Sequence, residues 1–256
     1  MKRRDSLRYL GAGLLTAIAT VSQNRRSIAQ SNSSVSIQWL GHMCFLFTGG
    51  GLRILVNPFS KIGCTAGYRL PRVRADLVLI SSQLLDEGSV EGLPGNPQIL
   101  FEPGDYEFRG LKIQGVGIAH DRFGGRRFGT NVAWTWNQGG VKLLHLGGAA
   151  APIEIEQKIL LGVPDLALIP VGGGIKAYNP TEAKQAIEAL DPKIVIPTQY
   201  LTAAADRDAC DIEPVERFLE VVPSAPANRI FSDRIVVSRF NLPQQGPVIK
   251  ILSYKF

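Results

Sequence analysis

The chain has 256 residues, with 28 Lys+Arg against 22 Asp+Glu and a formal net charge of +6. Six of the basic residues and only one acid fall within residues 1–29, so the remainder is nearly neutral, which excludes a broad basic face for nucleic acid or anionic lipid. With 45% hydrophobic and 20% charged residues the body of the chain can bury a full core, and its composition excludes disorder.

Residues 1–29 read as an export leader. Arg3-Arg4 is followed by Leu7 at the spacing of a twin-arginine signal, and the apolar segment 10–21 is too short to be a stable membrane anchor. Gly11, Gly13, Thr16 and Thr20 keep that segment only moderately apolar, and Arg25 and Arg26 beyond it disfavour the ordinary secretory route. Cleavage after Ala29 is expected to leave one domain, residues 30–256, in the periplasm, or in the thylakoid lumen if the source is photosynthetic. An uncleaved amphipathic anchor is the other reading. Beyond Gln30 no stretch approaches about 18 apolar residues, so the mature protein is not expected to span a membrane.

Alternation of apolar and polar residues predicts strands at 35–40, 44–48 and 52–56, joined as an antiparallel meander by Gly41-His42 and Gly49-Gly50-Gly51. The continuous apolar runs at 76–81 and 165–171 predict strands covered on both faces, and 99–102, 111–117, 131–136 and 141–146 continue the strand pattern. A helix is predicted over 180–190, where Ala183, Ala186, Ile187 and Leu190 recur at helical spacing behind Asn179 and Pro180. A second helix is predicted over 213–221, and strands at 194–197, 234–240 and 248–254 close the chain. The pattern changes near residue 150 from consecutive strands to alternating helix and strand. Two sheets packed face to face with helices outside satisfy it, an α/β fold in the form of a four-layer αββα sandwich. Trp134 and Trp136 share one face of a strand and read as core or interface. Cys44, in an apolar run, reads as a small buried hydrophobe. The three cysteines Cys44, Cys64 and Cys210 lack CxxC spacing, which excludes zinc-ribbon and thioredoxin sites, and in an oxidising compartment one pair can form a disulfide.

Several strings occur together in a specific order: Ile37-Gln38-Trp39-Leu40-Gly41-His42, the runs 54–58 and 76–81, Ile169-Pro170-Val171-Gly172-Gly173, Pro180-Thr181-Glu182-Ala183, and Pro192 through Tyr200. On these, residues 35 to 205 resemble the metallo-β-lactamase-fold hydrolases, in the branch that looks like L-ascorbate-6-phosphate lactonase and related metal-dependent hydrolases. The resemblance implies the αββα sandwich and a site for two divalent ions, usually zinc or manganese. It also implies seven ligand positions, most of which are changed here. Ser82 and Leu84 stand where histidines belong, Asp86 matches, and Glu87 replaces a further histidine. His120 matches, Gly148 stands where a bridging carboxylate belongs, and Gln199 replaces the last histidine; Asn57 replaces an aspartate before Pro58. A hydrolytic zinc site needs neutral imidazoles and carboxylates converging at about 2.0 to 2.2 Å around a water whose pKa falls toward about 7. Loss at Ser82, Leu84, Gly148 and Gln199 removes that donor set.

What remains is a candidate pocket of His42, Asp86, Glu87, His120 and Gln199. Arg122, Arg126 and Arg127 beside His120 are candidates for an anionic ligand, with a solvated loop as the other reading. Asp121 is a weak partner for His120 because adjacent residues seldom face each other. His145 reads as a satisfied histidine, and Gly172-Gly173-Gly174 as a tight turn. The expectation is a metallo-β-lactamase-fold protein without the dinuclear site, without hydrolase activity and without a cofactor, serving as a binding or assembly partner in the exported compartment. The alternative is a hydrolase with a rearranged site from Asp86, Glu87, His120 and His42, using zinc or manganese on a small anionic ester or lactone. A metal-free enzyme using the same pocket is the third reading.

Overall fold

The alternation in the first segment does what a pleated strand requires. In β1 (Ser34–Gly41), Val35, Ile37 and Trp39 are buried while Ser36, Gln38 and Leu40 are half-exposed, so one face joins the core. The computed structural model describes residues 33–256, and the export leader read over 1–29 lies outside the described residues. β2 (Cys44–Gly49) and β3 (Leu52–Val56) complete the antiparallel meander, and β4 (Leu77–Leu79) and β5 (Gln98–Leu100) add on in parallel. A second sheet begins with the antiparallel strands β6 (Gly104–Phe108), β7 (Leu111–Ala119), β8 (Thr130–Gln138) and β9 (Val141–His145). It continues in parallel through β10 (Leu166–Pro170) and β11 (Ile194–Thr198), with β12 (Ala227–Arg229) and β14 (Val248–Ile251) at its far edge. β13 (Arg234–Ser238) returns to the first sheet and pairs with β1.

Among the described residues the two sheets therefore have six and eight strands, in the orders 13-1-2-3-4-5 and 12-14-11-10-9-8-7-6. The chain changes sheet between β5 and β6, earlier than the change of local pattern near residue 150. Side chains meet between the sheets: Phe47 packs edge-on to Trp136 at 4.9 Å and Phe45 to His145 at 5.9 Å. Trp134 and Trp136 are both buried core residues. Each fully buried Leu, Ile, Val or Phe in this layer contributes about 1.5 to 3 kcal/mol.

Four α-helices are present among the described residues: α1 (Leu85–Gly88), α2 (Ile155–Leu161), α3 (Pro180–Leu190) and α4 (Val215–Val221). α3 buries Ala183, Ala186, Ile187 and Leu190, and a reciprocal box fixes its start: Glu182 N donates to Asn179 Oδ1 and Asn179 N to Glu182 Oε2. Helix 213–221 starts two residues later than its sequence pattern suggests, at Val215, because Pro214 serves as its cap. Strand 234–240 ends at Ser238, where the backbone turns into a 3-10 segment.

Cys64 and Cys210 form a disulfide across 146 residues of sequence, and Cys44 is free and buried. The bond ties the loop after β3 to the loop after β11, which also exchange backbone hydrogen bonds from Gly67 N to Ala204 O and from Asp206 N to Gly63 O. Closing so long a loop restricts the unfolded chain, an effect of about 4 to 5 kcal/mol in the chain-entropy view. Reduction, or Cys210→Ser, is therefore expected to lower the urea midpoint of unfolding well below that of the oxidised protein. An unchanged midpoint would count against the bond.

Candidate functional site

Each nominated pocket residue lies in a connection that leaves the carboxyl end of a strand, Asp86 and Glu87 in the short helix α1. His42 follows β1, Asp86 and Glu87 lie beyond β4, His120 follows β7, Gly148 lies beyond β9 and Gln199 follows β11. His42, Asn57 and Gln199 adopt the left-handed backbone, with φ of 51, 50 and 51°. Non-glycine residues adopt that conformation where the surrounding structure enforces it, and three of the five such residues among the described residues line this one ring of connections. Asn57 holds its turn by accepting Ser81 N at 2.8 Å on Oδ1. Trp39 Nε1 donates to the His42 carbonyl at 2.9 Å and fixes that turn.

At the centre is Glu87, whose side chain is fully buried. Its Oε2 lies 2.7 Å from His120 Nε2 in an ion pair, and neither atom has another partner. Its Oε1 lies 3.0 Å from Lys176 Nζ and accepts Gln199 Nε2 at 3.3 Å. Lys176, from the loop after β10, also bonds Asp86 Oδ2 at 2.5 Å. Lys176 and Asp86 keep 20% and 19% side-chain exposure, so they form the only lid over Glu87 that water reaches among these groups. Lys176 was not among the residues nominated from sequence.

Protonation follows from the geometry. His120 Nδ1 faces the Gly148 carbonyl at 2.5 Å and Nε2 faces the Glu87 carboxylate. Both neighbours only accept, so the ring carries a proton on each nitrogen. Burial lowers the His120 pKa, but Glu87 and the Gly148 carbonyl outweigh it and the net shift is upward. For Glu87 burial raises the pKa, and His120 with Lys176 reverses it, leaving about 2. Burial lowers the Lys176 pKa, and Glu87 and Asp86 raise it above its ordinary value. The cluster is thus two carboxylates facing an ammonium and an imidazolium. His42 differs: burial, only partly opposed by Asp86 and Glu87, lowers it to about 4 and keeps it neutral.

This donor set does not fit the metal centre that the resemblance implies. An imidazolium has no lone pair to give, and Lys176 already neutralises the carboxylates. At Gly148 a Cβ would collide with His120 Cε1, so the ring covers the place from which a bridging carboxylate would start. Gln199 turns its NH2 to Glu87. Ser82 Oγ accepts Leu84 N, and Leu84 is the residue before α1. Among the described residues no group of three or more His, Cys, Asp or Glu side chains is placed to hold a metal ion.

The basic loop is committed to its own fold. Arg122 grips Glu182 with Nε at 2.8 Å and Nη2 at 2.6 Å, and donates to the Gly174 and Ala177 carbonyls. Arg126 Nε donates to the Phe123 carbonyl, and Arg127 lies over the Phe128 ring. Asp121 turns away from His120 and accepts backbone N–H from Phe123, Gly125, Arg127 and Phe128. Burial raises its pKa and those four donors override it, to about 2. His145 donates from Nε2 to the Met43 carbonyl at 3.0 Å and accepts Gly147 N on Nδ1. Lys176 had one legible cue: two adjacent carboxylates, Asp86 and Glu87, deprived of their histidines need a cation from somewhere in the chain.

A family model for the beta-lactamase superfamily domain matches residues 36–199. A Thermococcus onnurineus protein named UPF0173 metal-dependent hydrolase is 31% identical over 193 residues, covering 66% of this chain and 85% of its own. A Thermus thermophilus protein of the same name is 29% identical over 197 residues, covering 66% and 84%. Among solved structures, a Thermotoga maritima protein of the metallo-beta-lactamase superfamily matches with a TM-score of 0.66 at 28% identity, over 85% of this chain and 98% of that one. A metallo hydrolase from Ignicoccus hospitalis matches with a TM-score of 0.53 at 20% identity, over 75% and 91%, a likeness of fold alone.

Proposed function

The chain belongs to the beta-lactamase superfamily, and from that premise we propose that it is an exported member without the dinuclear metal centre, acting by binding and not by hydrolysis. The observation that carries this reading is the Lys176–Glu87–His120 cluster. Its two positive groups stand against the carboxylates that would otherwise hold a cation, at 3.0 and 2.7 Å from Glu87. A charge-balanced, buried ion cluster is a poor general acid or base, because its imidazole and ammonium face carboxylates that hold their protons. Five surface cavities among the described residues, moreover, are lined by none of His42, Asp86, Glu87, His120, Lys176 or Gln199. Export to the periplasm or thylakoid lumen is supported by the twin-arginine pattern and by the Cys64–Cys210 bond, which belongs to oxidising compartments.

The test is elemental analysis of protein purified from its exporting host, together with turnover assays on phosphoester and lactone substrates. The expected result is far less than one zinc or manganese ion per chain and no turnover above background. Two tightly held ions per chain would overturn the reading. They would favour a metal-dependent hydrolase acting on a small anionic ester or lactone, the activity class in the relatives' names. Two buried atoms without partners, His42 Nδ1 and Gln199 Oε1, are the observation on that side.

A further inference from the structure

α2 is an amphipathic helix mounted the wrong way out. At about 100° per residue, Ile155 and Ile159 lie roughly opposite Gln157 and Leu161. The second pair faces the protein: Leu161 is buried, and Gln157 Nε2 donates to the Gly117 carbonyl on β7 at 2.8 Å. Gln157 Oε1 also accepts Glu154 N at 2.8 Å, so the helix is clamped at its start and its orientation is fixed. Ile155 is 63% exposed, Ile159 72%, Leu160 50% and Val163, just past the helix, 63%. Four large aliphatic side chains on one short segment, held in water by a helix anchored through its other face, call for a covering surface.

We propose that this face is the contact of a two-fold homodimer, with a second copy of α2 as its occupant. Charge decides for a second copy. Glu156 and Lys158 flank the Ile155–Ile159 seam on opposite sides, about 80° from its centre each way. Among the described residues neither makes an ion pair. A two-fold axis running along the helix direction brings Glu156 of one copy beside Lys158 of the other on both sides of the seam. An antiparallel pairing would set like charges together. Ile155, Ile159 and Val163 offer far less than the roughly 800 Å² per partner of an ordinary interface, which places the dimer at the weak end. None of Ile155, Glu156, Lys158 and Ile159 takes part in the ion pairs of the Lys176 cluster, so the proposal does not depend on the metal content.

Sedimentation velocity of the purified protein from about 1 to about 200 µM is expected to show reversible dimerisation with a Kd of about 10 µM. Ile159→Asp should weaken it at least 30-fold or so while leaving the circular dichroism and melting curve unchanged, since the residue is exposed. Lys158→Glu should weaken it about fivefold, and Glu156→Lys with Lys158→Glu should restore it. A wild type that stays monomeric at the highest concentration, or an Ile159→Asp variant that still dimerises, overturns the proposal. Failure of the double charge exchange to rescue overturns the parallel arrangement.

Discussion

Lys176→Met is expected to lower the stability of the protein by about 3 to 5 kcal/mol, a fall of roughly 10 °C in melting temperature. Among the described residues, the side chain it removes is the one cation that touches both Asp86 and Glu87. Asp86 is partly wet and water screens what it loses, but Glu87 has no solvent contact and would keep only the His120 ring and the Gln199 amide against its charge. The cost comes from leaving a buried charge uncompensated, so a second change separates it from lost packing. Adding Glu87→Gln to Lys176→Met removes the stranded charge and should recover a large part of the loss, because Gln keeps the shape and can still hydrogen-bond. Thermal and urea unfolding of the three proteins measure this. A single variant within about 1 kcal/mol of wild type would show that the carboxylates do not depend on Lys176.

Acid should unfold the protein over an unusually high window, between about pH 6.5 and 4. His145 is buried as a neutral ring whose two nitrogens are fixed by the Met43 carbonyl and Gly147 N–H. Burial lowers its pKa to about 4, against 6.5 for an ordinary histidine. The unfolded chain therefore takes up a proton below pH 6.5 that the native state refuses. Stability present above that pH is lost as pH falls toward 4, by about 3 kcal/mol for this one residue. His42, lowered to about 4 mainly by burial, acts in the same direction. The Glu87 contribution, from a pKa lowered to about 2, is full above 4.5 and is lost only below it. His120, raised, contributes fully below 6.5 and loses ground only as pH rises. Urea midpoints taken from pH 7 to 4 should fall steadily, and His145→Gln should flatten the slope. A midpoint constant from pH 7 to 4.5 would contradict the assignment.

The sheets were legible because their cause is local. Val35, Ile37 and Trp39 alternate with half-exposed neighbours, and Leu166–Pro170 is apolar throughout and buried throughout. β6 escaped because an edge strand of sequence GDYEF, mostly exposed, carries no apolar alternation, and the three residues of β12 are all exposed. α1 has four residues, too few for a period, and α2 was missed in part because its Ile residues face solvent. In the site, each changed ligand position was legible from its string, whereas its replacement was not. Lys176 lies 90 residues from Asp86, in a glycine turn that nothing nearby marks as charged. The role of Arg122 was likewise hidden, since Glu182 lies 60 residues on. Three cysteines allow three pairings, and only the approach of two loops selects Cys64 with Cys210.

That bond also changes what a broken backbone means. The exposed loop at 122–129, with its arginines, lies between the two joined cysteines. A protease that cuts there makes two fragments that remain one covalent body, still sharing the β7–β8 and β1–β13 ladders. On a gel the cut would be invisible until thiol is added. A single cut anywhere between the two cysteines would thus leave the molecule in one piece.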